Sequence, residues 1–142
     1  MAMNPMLMHT IATIHRGLYK LTGGTLGANL GGRPMLLLTT TGRKSGKKRA
    51  TPLQYLRDGE NMVVVASNGG NKNHPAWLYN VRANPEATAQ TGKKVTKVRA
   101  DVANEEERAR LWPLLLEAYR GYQDYEDETE RTIQVVVLTP TE

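Results

Sequence analysis

The sequence predicts one α+β domain built around an antiparallel β-barrel. About six short segments rich in apolar and β-branched residues are separated by turn sequences, and several neighbouring pairs are close enough to form hairpins. Strands and helices do not alternate regularly, which argues against a doubly wound parallel sheet. The chain has 142 residues, the size of a single domain that buries its own core.

Two segments are expected to precede the barrel, within residues 1–34. Apolar residues recur every three or four positions over residues 6–21, which predicts an amphipathic helix. We expect this helix to cover the core; peripheral contact with a membrane surface is the alternative. The sequence TGGTLGANLGGRP then predicts a glycine-rich loop. Residues 35–142 are expected to form the barrel as a single domain.

The first half of the barrel domain predicts three strands. They cover residues 35–41, 50–56 and 61–66. The dipeptide Asp58–Gly59 is a turn signal, so the second and third strands should form a hairpin. Pro52 has no amide hydrogen and is therefore expected at a sheet edge or at a bulge.

The second half predicts two helices and three more strands. The strands cover residues 87–91, 95–100 and 133–138, and the helices cover residues 75–83 and about 105–119. Pro75 suits the first turn of the short helix. Asn104, with Glu107 three residues later, is a capping signature for the longer helix. The acidic, tyrosine-rich residues 121–131 are expected to form a loop.

The composition excludes several kinds of active site. The chain contains no cysteine, which rules out thiolate nucleophiles, disulfides and cysteine-held metals. His9, His15 and His74 lack metal-binding spacing, so no metal site is expected. The acidic residues lie in polar runs, which does not favour a carboxylate pair with separated pKa values. If the protein is an enzyme, a bound cofactor should therefore carry out the chemistry.

The N-terminal segment lacks the features of a signal peptide or a membrane span. His15, Arg16 and Lys20 interrupt its apolar residues, and no small-residue cleavage site follows. We therefore expect a cytoplasmic protein.

Positive charge is concentrated in GRKSGKKR, residues 42–49, between the first two strands. The net charge of the chain is +5, and five cations fall within seven residues of this turn. Its two glycines would allow backbone amides to face an anion, and arginine offers a planar fork for phosphate or carboxylate. A solvated basic hairpin is the alternative. Nucleic acid is not an expected partner, because no aromatic residues are interleaved with these cations.

Two further groups of residues predict ligand contacts. A polar, glycine-rich segment leads into the short helix, whose N-terminus favours negative charge, and Trp77 and Asn80 lie three residues apart on that helix. Tyr119, Tyr122 and Tyr125 recur at three-residue spacing and predict the wall of a pocket. For Trp77 and for the tyrosines, packing in the core is the alternative.

Three long stretches carry a family resemblance. MLLLTTTGRKSGKKRATPLQYLRDG, SNGGNKNHPAWLYNVRANP and WPLLLEAYRGYQDYEDETERTIQVVVL closely resemble the deazaflavin-dependent nitroreductase family of actinobacteria. The resemblance covers residue 35 to the C-terminus and, more weakly, the N-terminal helix. It implies a split β-barrel of the FMN-binding type with reduced coenzyme F-420 as cofactor. The implied reaction is hydride transfer to a quinone, a lactone or coumarin xenobiotic such as aflatoxin, or a nitro-aromatic compound.

The resemblance also implies roles for particular residues. The phosphorylated polyglutamate tail of the cofactor would contact Arg43, Lys44, Ser45 and Arg49. The deazaflavin ring and its pocket would involve Thr51, Pro52, Leu53, Ala66, Ser67, Asn68, Trp77 and Asn80. Ser67, Tyr119, Tyr122 and Tyr125 would position the substrate or supply a proton.

The sequence departs from the family pattern at three pocket positions. Thr51, Gln54 and Asn68 stand where the family often has asparagine, an aromatic residue and lysine, so nitroimidazole reduction is not the first expectation. A protein that sequesters the coenzyme, or an FMN- or haem-binding split barrel, is the alternative function. A monomer or a homodimer is expected.

Overall fold

A computed structural model of the protein describes residues 34–68 and 73–141. Within these ranges there are seven strands and three helices, in the order β1 (Met35–Thr41), β2 (Lys48–Gln54), β3 (Leu56–Asp58), β4 (Asn61–Val65), α1 (Ala76–Ala83), β5 (Glu86–Thr91), β6 (Lys94–Val102), α2 (Glu105–Ala118), α3 (Gly121–Asp127) and β7 (Val135–Pro140). The predicted N-terminal helix and glycine-rich loop lie outside the described residues. None of the three helices in these ranges is long and apolar enough to cross a membrane.

The two strands at opposite ends of the sheet are joined by Tyr55 alone. The strand order is β2-β1-β5-β6-β7-β4-β3, and every neighbouring pair is antiparallel. One linking residue spans at most about 7 Å, so the sheet must curl until its two edges meet. β2 accordingly approaches β4 across the opening. This arrangement confirms the predicted antiparallel split barrel and places Pro52 on an edge strand, as expected.

The single strand predicted over residues 50–56 is two strands, which raises the count from six to seven. β1 pairs with β2 from Thr41 opposite Lys48 to Met35 opposite Gln54, and Met35 is the first residue of β1, so β1 offers no partner beyond Gln54. The amide of Tyr55 donates to the carbonyl of Pro34, 3.3 Å away, and the chain then leaves β1 to pair with β4 as β3. The division therefore follows from the length of the partner strand, which the apolar pattern does not reveal.

The curled sheet packs a separate apolar cluster against each of its faces. One face meets α1 through residues that include Leu36, Leu38 and Leu78. The other face meets α2 and α3, where Val63 and Leu111 are fully buried. Successive residues of a strand point to opposite faces, so β4 is buried on both sides.

The acidic residues after α2, predicted as a loop, contain the helix α3. Tyr122 and Tyr125 lie three positions apart on this helix and pack against the apolar cluster shared with α2. On the polar side, the side-chain amide of Gln123 donates to Asp127 one turn later, at 2.9 Å. The high polarity of the segment concealed this short amphipathic pattern. The predicted cap of α2 is confirmed, since Asn104 accepts from the amide of Glu107 at 2.8 Å.

Candidate functional site

The turn between β1 and β2 closes on itself through backbone hydrogen bonds. The amide of Gly42 donates to the carbonyl of Lys47, and the amide of Gly46 donates to the carbonyl of Gly42, each at 2.8 Å. The hydroxyl of Ser45 accepts from the amide of Lys47 at 3.1 Å. Gly46 has φ of +71°, and a Cβ on Gly42 would lie 2.6 Å from the Ser45 hydroxyl. Glycine at position 46 therefore suits the backbone angle, and a side chain at position 42 would displace the Ser45 hydroxyl that accepts from Lys47.

Helix α1 supports this basic turn through Asn80. The side-chain oxygen of Asn80 accepts from the amide of Arg43 at 3.1 Å, and its amide nitrogen donates to the Thr40 hydroxyl at 3.2 Å. Both polar side chains are buried, with Asn80 7% exposed and Thr40 1% exposed. Because buried polar groups are costly unless they are hydrogen-bonded, this pair fixes the turn on the helix.

Four cations of the turn point into solvent without a carboxylate partner among residues 34–68 and 73–141. They are Arg43, Lys44, Lys47 and Lys48. The guanidinium of Arg43 lies over the ring of Tyr79, 4.6 Å from its centroid, and the Lys48 ammonium donates to the Thr41 hydroxyl at 3.1 Å. A cluster of like charges without internal neutralisation attracts anions.

An open pocket of about 190 Å³ lies on the α3 side of the sheet, where β2 comes near β4. It is lined by Met35, Pro52, Leu53, Gln54, Val65, Ser67, Tyr122 and Tyr125. The lining combines flat aromatic and apolar surface with a few polar groups, which is typical of sites for small aromatic ligands.

The three predicted tyrosines form one aromatic cluster, but only two of them line the pocket. Tyr119 packs edge-on against Tyr122, with ring centroids 5.0 Å apart, and its hydroxyl lies 3.3 Å from the hydroxyl of Tyr125. Gly121 leaves room for this arrangement, because a Cβ there would overlap the ring of Tyr119. Tyr119 therefore contacts the pocket residue Tyr125 without lining the pocket itself.

The side chain of Arg131 binds the backbone carbonyls of the short segment that contains Ser67. The guanidinium of Arg131 donates to the carbonyl of Ser67 at 2.7 Å and to the carbonyl of Ala66 at 3.2 Å. It also lies 3.2 Å from Nδ1 of His74. Burial, with the charges of Arg131 and then Arg82, lowers the pKa of His74 below its usual value. Neutral His74 can therefore accept a hydrogen bond from Arg131.

The structure brings most predicted site residues to two places, one near each end of β2. Arg43, Lys44, Ser45 and Arg49 lie in or beside the turn, whereas Pro52, Leu53, Ser67, Tyr122 and Tyr125 line the pocket. Thr51 lies on β2 between the two groups. Along the strand, Lys48 is about 14 Å from Pro52 and about 20 Å from Gln54, at about 3.4 Å per residue.

The remaining predicted residues lie away from the pocket lining. Trp77 is buried in the apolar cluster under α1, and Ala66 is buried at the end of β4. Asn68 is exposed, with φ of +49°, and its side chain donates to the carbonyl of Asn73 at 3.0 Å. Sequence patterns did not identify Thr40 or Arg131, because a buried threonine in a strand and an arginine in a polar run carry no local signal.

Comparison with known proteins identifies a family. The model of the F420H(2)-dependent quinone reductase family matches residues 12–140. A Mycobacterium tuberculosis protein named as an F420H(2)-dependent quinone reductase is 39% identical over 130 residues, which cover 89% of this chain and 87% of that protein.

Two solved structures are similar in both sequence and fold. One, of an F420-H2 dependent reductase, is 44% identical with a TM-score of 0.69 and covers 75% of this chain and 94% of its own. The other, described as a domain-swapped dimer, is 40% identical with a TM-score of 0.71 and covers 91% and 98%. The chain therefore belongs to the F420H(2)-dependent quinone reductase family, which confirms the predicted oxidoreductase class and the predicted deazaflavin cofactor.

Proposed function

We propose that this protein transfers a hydride from reduced coenzyme F-420 to a quinone or a related electron-poor small molecule. One observation carries the proposal: at and before one end of β2 lie four exposed cations that pair with no carboxylate among residues 34–68 and 73–141, and a tyrosine-walled pocket lies at the other end. Such an arrangement suits an elongated ligand with an anionic tail and a flat ring.

The residues at the two ends of β2 fit the two parts of this cofactor. Arg43, Lys44 and Arg49, with the backbone of the Ser45 turn, would hold phosphate and carboxylate groups. Pro52 and Leu53 would lie against the ring, since proline on an edge strand leaves a flat apolar surface without an amide donor. Residues 34–68 and 73–141 contain no group of three or more His, Asp or Glu side chains that could hold a metal ion.

When bound, the reduced deazaflavin supplies a hydride to the substrate. The chain itself would orient the substrate between Tyr122 and Tyr125, exclude water from the pocket, and deliver the proton that balances the hydride. The hydroxyls of Ser67 and Tyr125 are the candidate donors, because both residues line the pocket. Tyr119 would hold the Tyr125 hydroxyl in place through the 3.3 Å contact.

Among substrates, we place quinones first. A quinone is flat and apolar apart from two acceptor oxygens, which matches a lining of tyrosine rings, Pro52 and a few hydroxyls. Gln54 lines the pocket as well, so an amide would face part of the substrate where the resemblance leads one to expect an aromatic ring. Lactone xenobiotics such as aflatoxin and coumarins, and nitro-aromatics, are the further candidates.

The test is to combine the purified protein with reduced coenzyme F-420 and menadione, and to follow coenzyme oxidation by its absorbance. We expect oxidation well above the uncatalysed rate, with one hydroquinone formed for each coenzyme oxidised. Tight coenzyme binding without turnover across quinones, coumarins and nitro-aromatics would instead support a sequestering protein. A purified protein that carries the visible spectrum of FMN or haem would contradict the deazaflavin assignment.

We also propose a cytoplasmic protein that is a monomer or a homodimer, with its predicted amphipathic helix as the part that would touch a membrane surface. The solved domain-swapped dimer, which is 40% identical to this chain, supports a dimer. Light scattering would measure the mass in solution. Sedimentation with anionic vesicles, compared with neutral ones, would test the membrane contact.

A further inference from the structure

The side chain of Arg131 binds the backbone of Ala66 and Ser67, the segment that follows β4. The residue lies between α3 and β7, and two nitrogens of its guanidinium donate to two consecutive carbonyls, those of Ala66 and Ser67. A planar group with several donors suits such a pair of acceptors, whereas the single ammonium of lysine does not. Since Ser67 lines the pocket, these bonds fix a pocket wall from outside.

His74 connects the Arg131 side chain to helix α1. Its Nδ1 lies 3.2 Å from the same guanidinium, and its ring packs edge-on against Tyr79 at 5.9 Å between centroids. Arg131 therefore joins three separate parts of the chain: the end of β4, the start of α1 and the approach to β7. Arg131 is half-buried, and these hydrogen bonds offset the cost of removing part of its charged group from water.

We propose that Arg131 is a positioning residue for reduction: it sets the place of Ser67 in the pocket by holding the carbonyls of residues 66 and 67. Its effect on turnover rests on the proposed function. The basic turn is held separately, by Asn80 and Thr40. Loss of Arg131 should therefore impair the reaction while leaving the grip on the cofactor tail intact.

The test compares Arg131→Met and Arg131→Lys with Arg110→Met. Arg110 is the matched control because its ion pairs, with Asp58 and Glu107, lie on the surface away from the pocket lining. Three quantities are measured: the coenzyme Kd by fluorescence titration, kcat with menadione, and amide hydrogen exchange over residues 62–68 in the coenzyme-free protein.

For Arg131→Met we expect a Kd within twofold of wild type, a kcat lowered at least tenfold, and faster exchange at residues 67 and 68. Arg131→Lys should give an intermediate kcat, and Arg110→Met should match wild type in all three measurements.

Wild-type kcat or wild-type exchange in a folded Arg131→Met protein would overturn the proposal. So would an equal loss of coenzyme affinity and turnover, because that result indicates a general structural role. If Arg131→Met does not fold, Arg131→Lys is judged by the same criteria. A wild-type protein that reduces no quinone would refute the proposed function instead, and the exchange comparison would still decide whether Arg131 positions residues 66–68.

Discussion

The side-chain oxygen of Asn80 accepts a hydrogen bond from the backbone amide of Arg43, at 3.1 Å. The two residues are 37 positions apart in the chain, and the bond fixes the basic turn on helix α1. The side-chain amide nitrogen of Asn80 donates to the buried Thr40 hydroxyl, so both polar atoms of this side chain are hydrogen-bonded. The resemblance implies that Asn80 contacts the cofactor; its observed bonds indicate an effect exerted through the turn.

Replacement of Asn80 should therefore affect both stability and coenzyme binding. Asn80→Ala leaves buried polar groups without a partner, which we expect to lower the free energy of unfolding by about 1–3 kcal/mol. The coenzyme Kd should rise, since the turn loses its support. Chemical denaturation and fluorescence titration measure the two effects.

Asn84→Ala is the control for Asn80→Ala. The Asn84 side chain accepts from the amide of Glu86 at an exposed site, so its loss should cost less stability and leave the Kd unchanged. A wild-type Kd in Asn80→Ala would show that the turn keeps its shape without the helix.

Lys44 tests whether the charge of the turn acts on the cofactor tail. Lys44→Ala removes an exposed cation that has no carboxylate partner in the described residues, and we expect the coenzyme Kd to rise about three- to tenfold. The effect should shrink as salt is added, because exposed charges are screened. Lys94→Ala makes the same change of charge in the β5–β6 hairpin and should leave the Kd unaltered. Equal effects of the two substitutions would indicate only a general response to net charge.

Substitutions of Gly42 and Gly59 distinguish the effect of distorting the basic turn from the effect of backbone strain elsewhere in the chain. A Cβ on Gly42 would lie 2.6 Å from the Ser45 hydroxyl and 3.2 Å from the Lys47 carbonyl, so Gly42→Ala should distort the turn and weaken coenzyme binding. Gly59 has φ of +61° but open space around it, so Gly59→Ala should lower the melting temperature without changing the Kd. If both variants bind the coenzyme as wild type does, the geometry of the turn is not needed for the tail.

Gly121 controls the position of the tyrosine pair. Because a Cβ at this position would overlap the ring of Tyr119, Gly121→Ala should displace that ring and break the contact between the Tyr119 and Tyr125 hydroxyls. We expect a lower kcat/KM for menadione and an unchanged coenzyme Kd. Tyr119→Phe keeps the ring and removes only its hydroxyl, so it shows how much of the loss belongs to that contact. Unchanged kinetics in both variants would exclude Tyr119 from the reaction.

The elements that the sequence predicted correctly depend on local signals. The cap of α2 needs only Asn104 and the amide of Glu107, and the turn after β3 needs only Gly59 at positive φ. Closure of the barrel depends on something else: the single residue Tyr55 joins two edge strands that are far apart in the strand order. Periodicity in one segment carries no information about which strands become neighbours, so the division of β2 from β3 was missed.

The sequence could predict the residues of the candidate site only where they are close together or regularly spaced along the chain. The basic turn is one run, and the tyrosines recur at helical spacing, although the polarity around them suggested a loop. The bond between Arg131 and Ser67 joins residues 64 positions apart, so no spacing rule could connect them. For Trp77 the sequence left core packing and a ligand contact open, and the side chain is buried in the apolar cluster under α1.

The protonation of His74 should make stability depend on pH. Its pKa is lowered in the folded protein, so the unfolded chain binds a proton first as pH falls. The contribution of His74 to the free energy of unfolding is therefore complete above about pH 6.5 and is lost as pH drops from there towards the folded pKa.

The variant His74→Asn keeps a side-chain acceptor for Arg131 and does not titrate, so the wild-type-minus-variant difference in unfolding free energy should decline with falling pH. Asp58, whose pKa is lowered by Arg110, contributes its own loss only below its ordinary value of about 3.8, and His9 and His15 are present in both proteins. The wild-type-minus-variant difference between about pH 7.5 and 5 therefore reports on His74. A difference that stays constant over this range would mean that His74 is as easily protonated in the folded protein as in the unfolded chain.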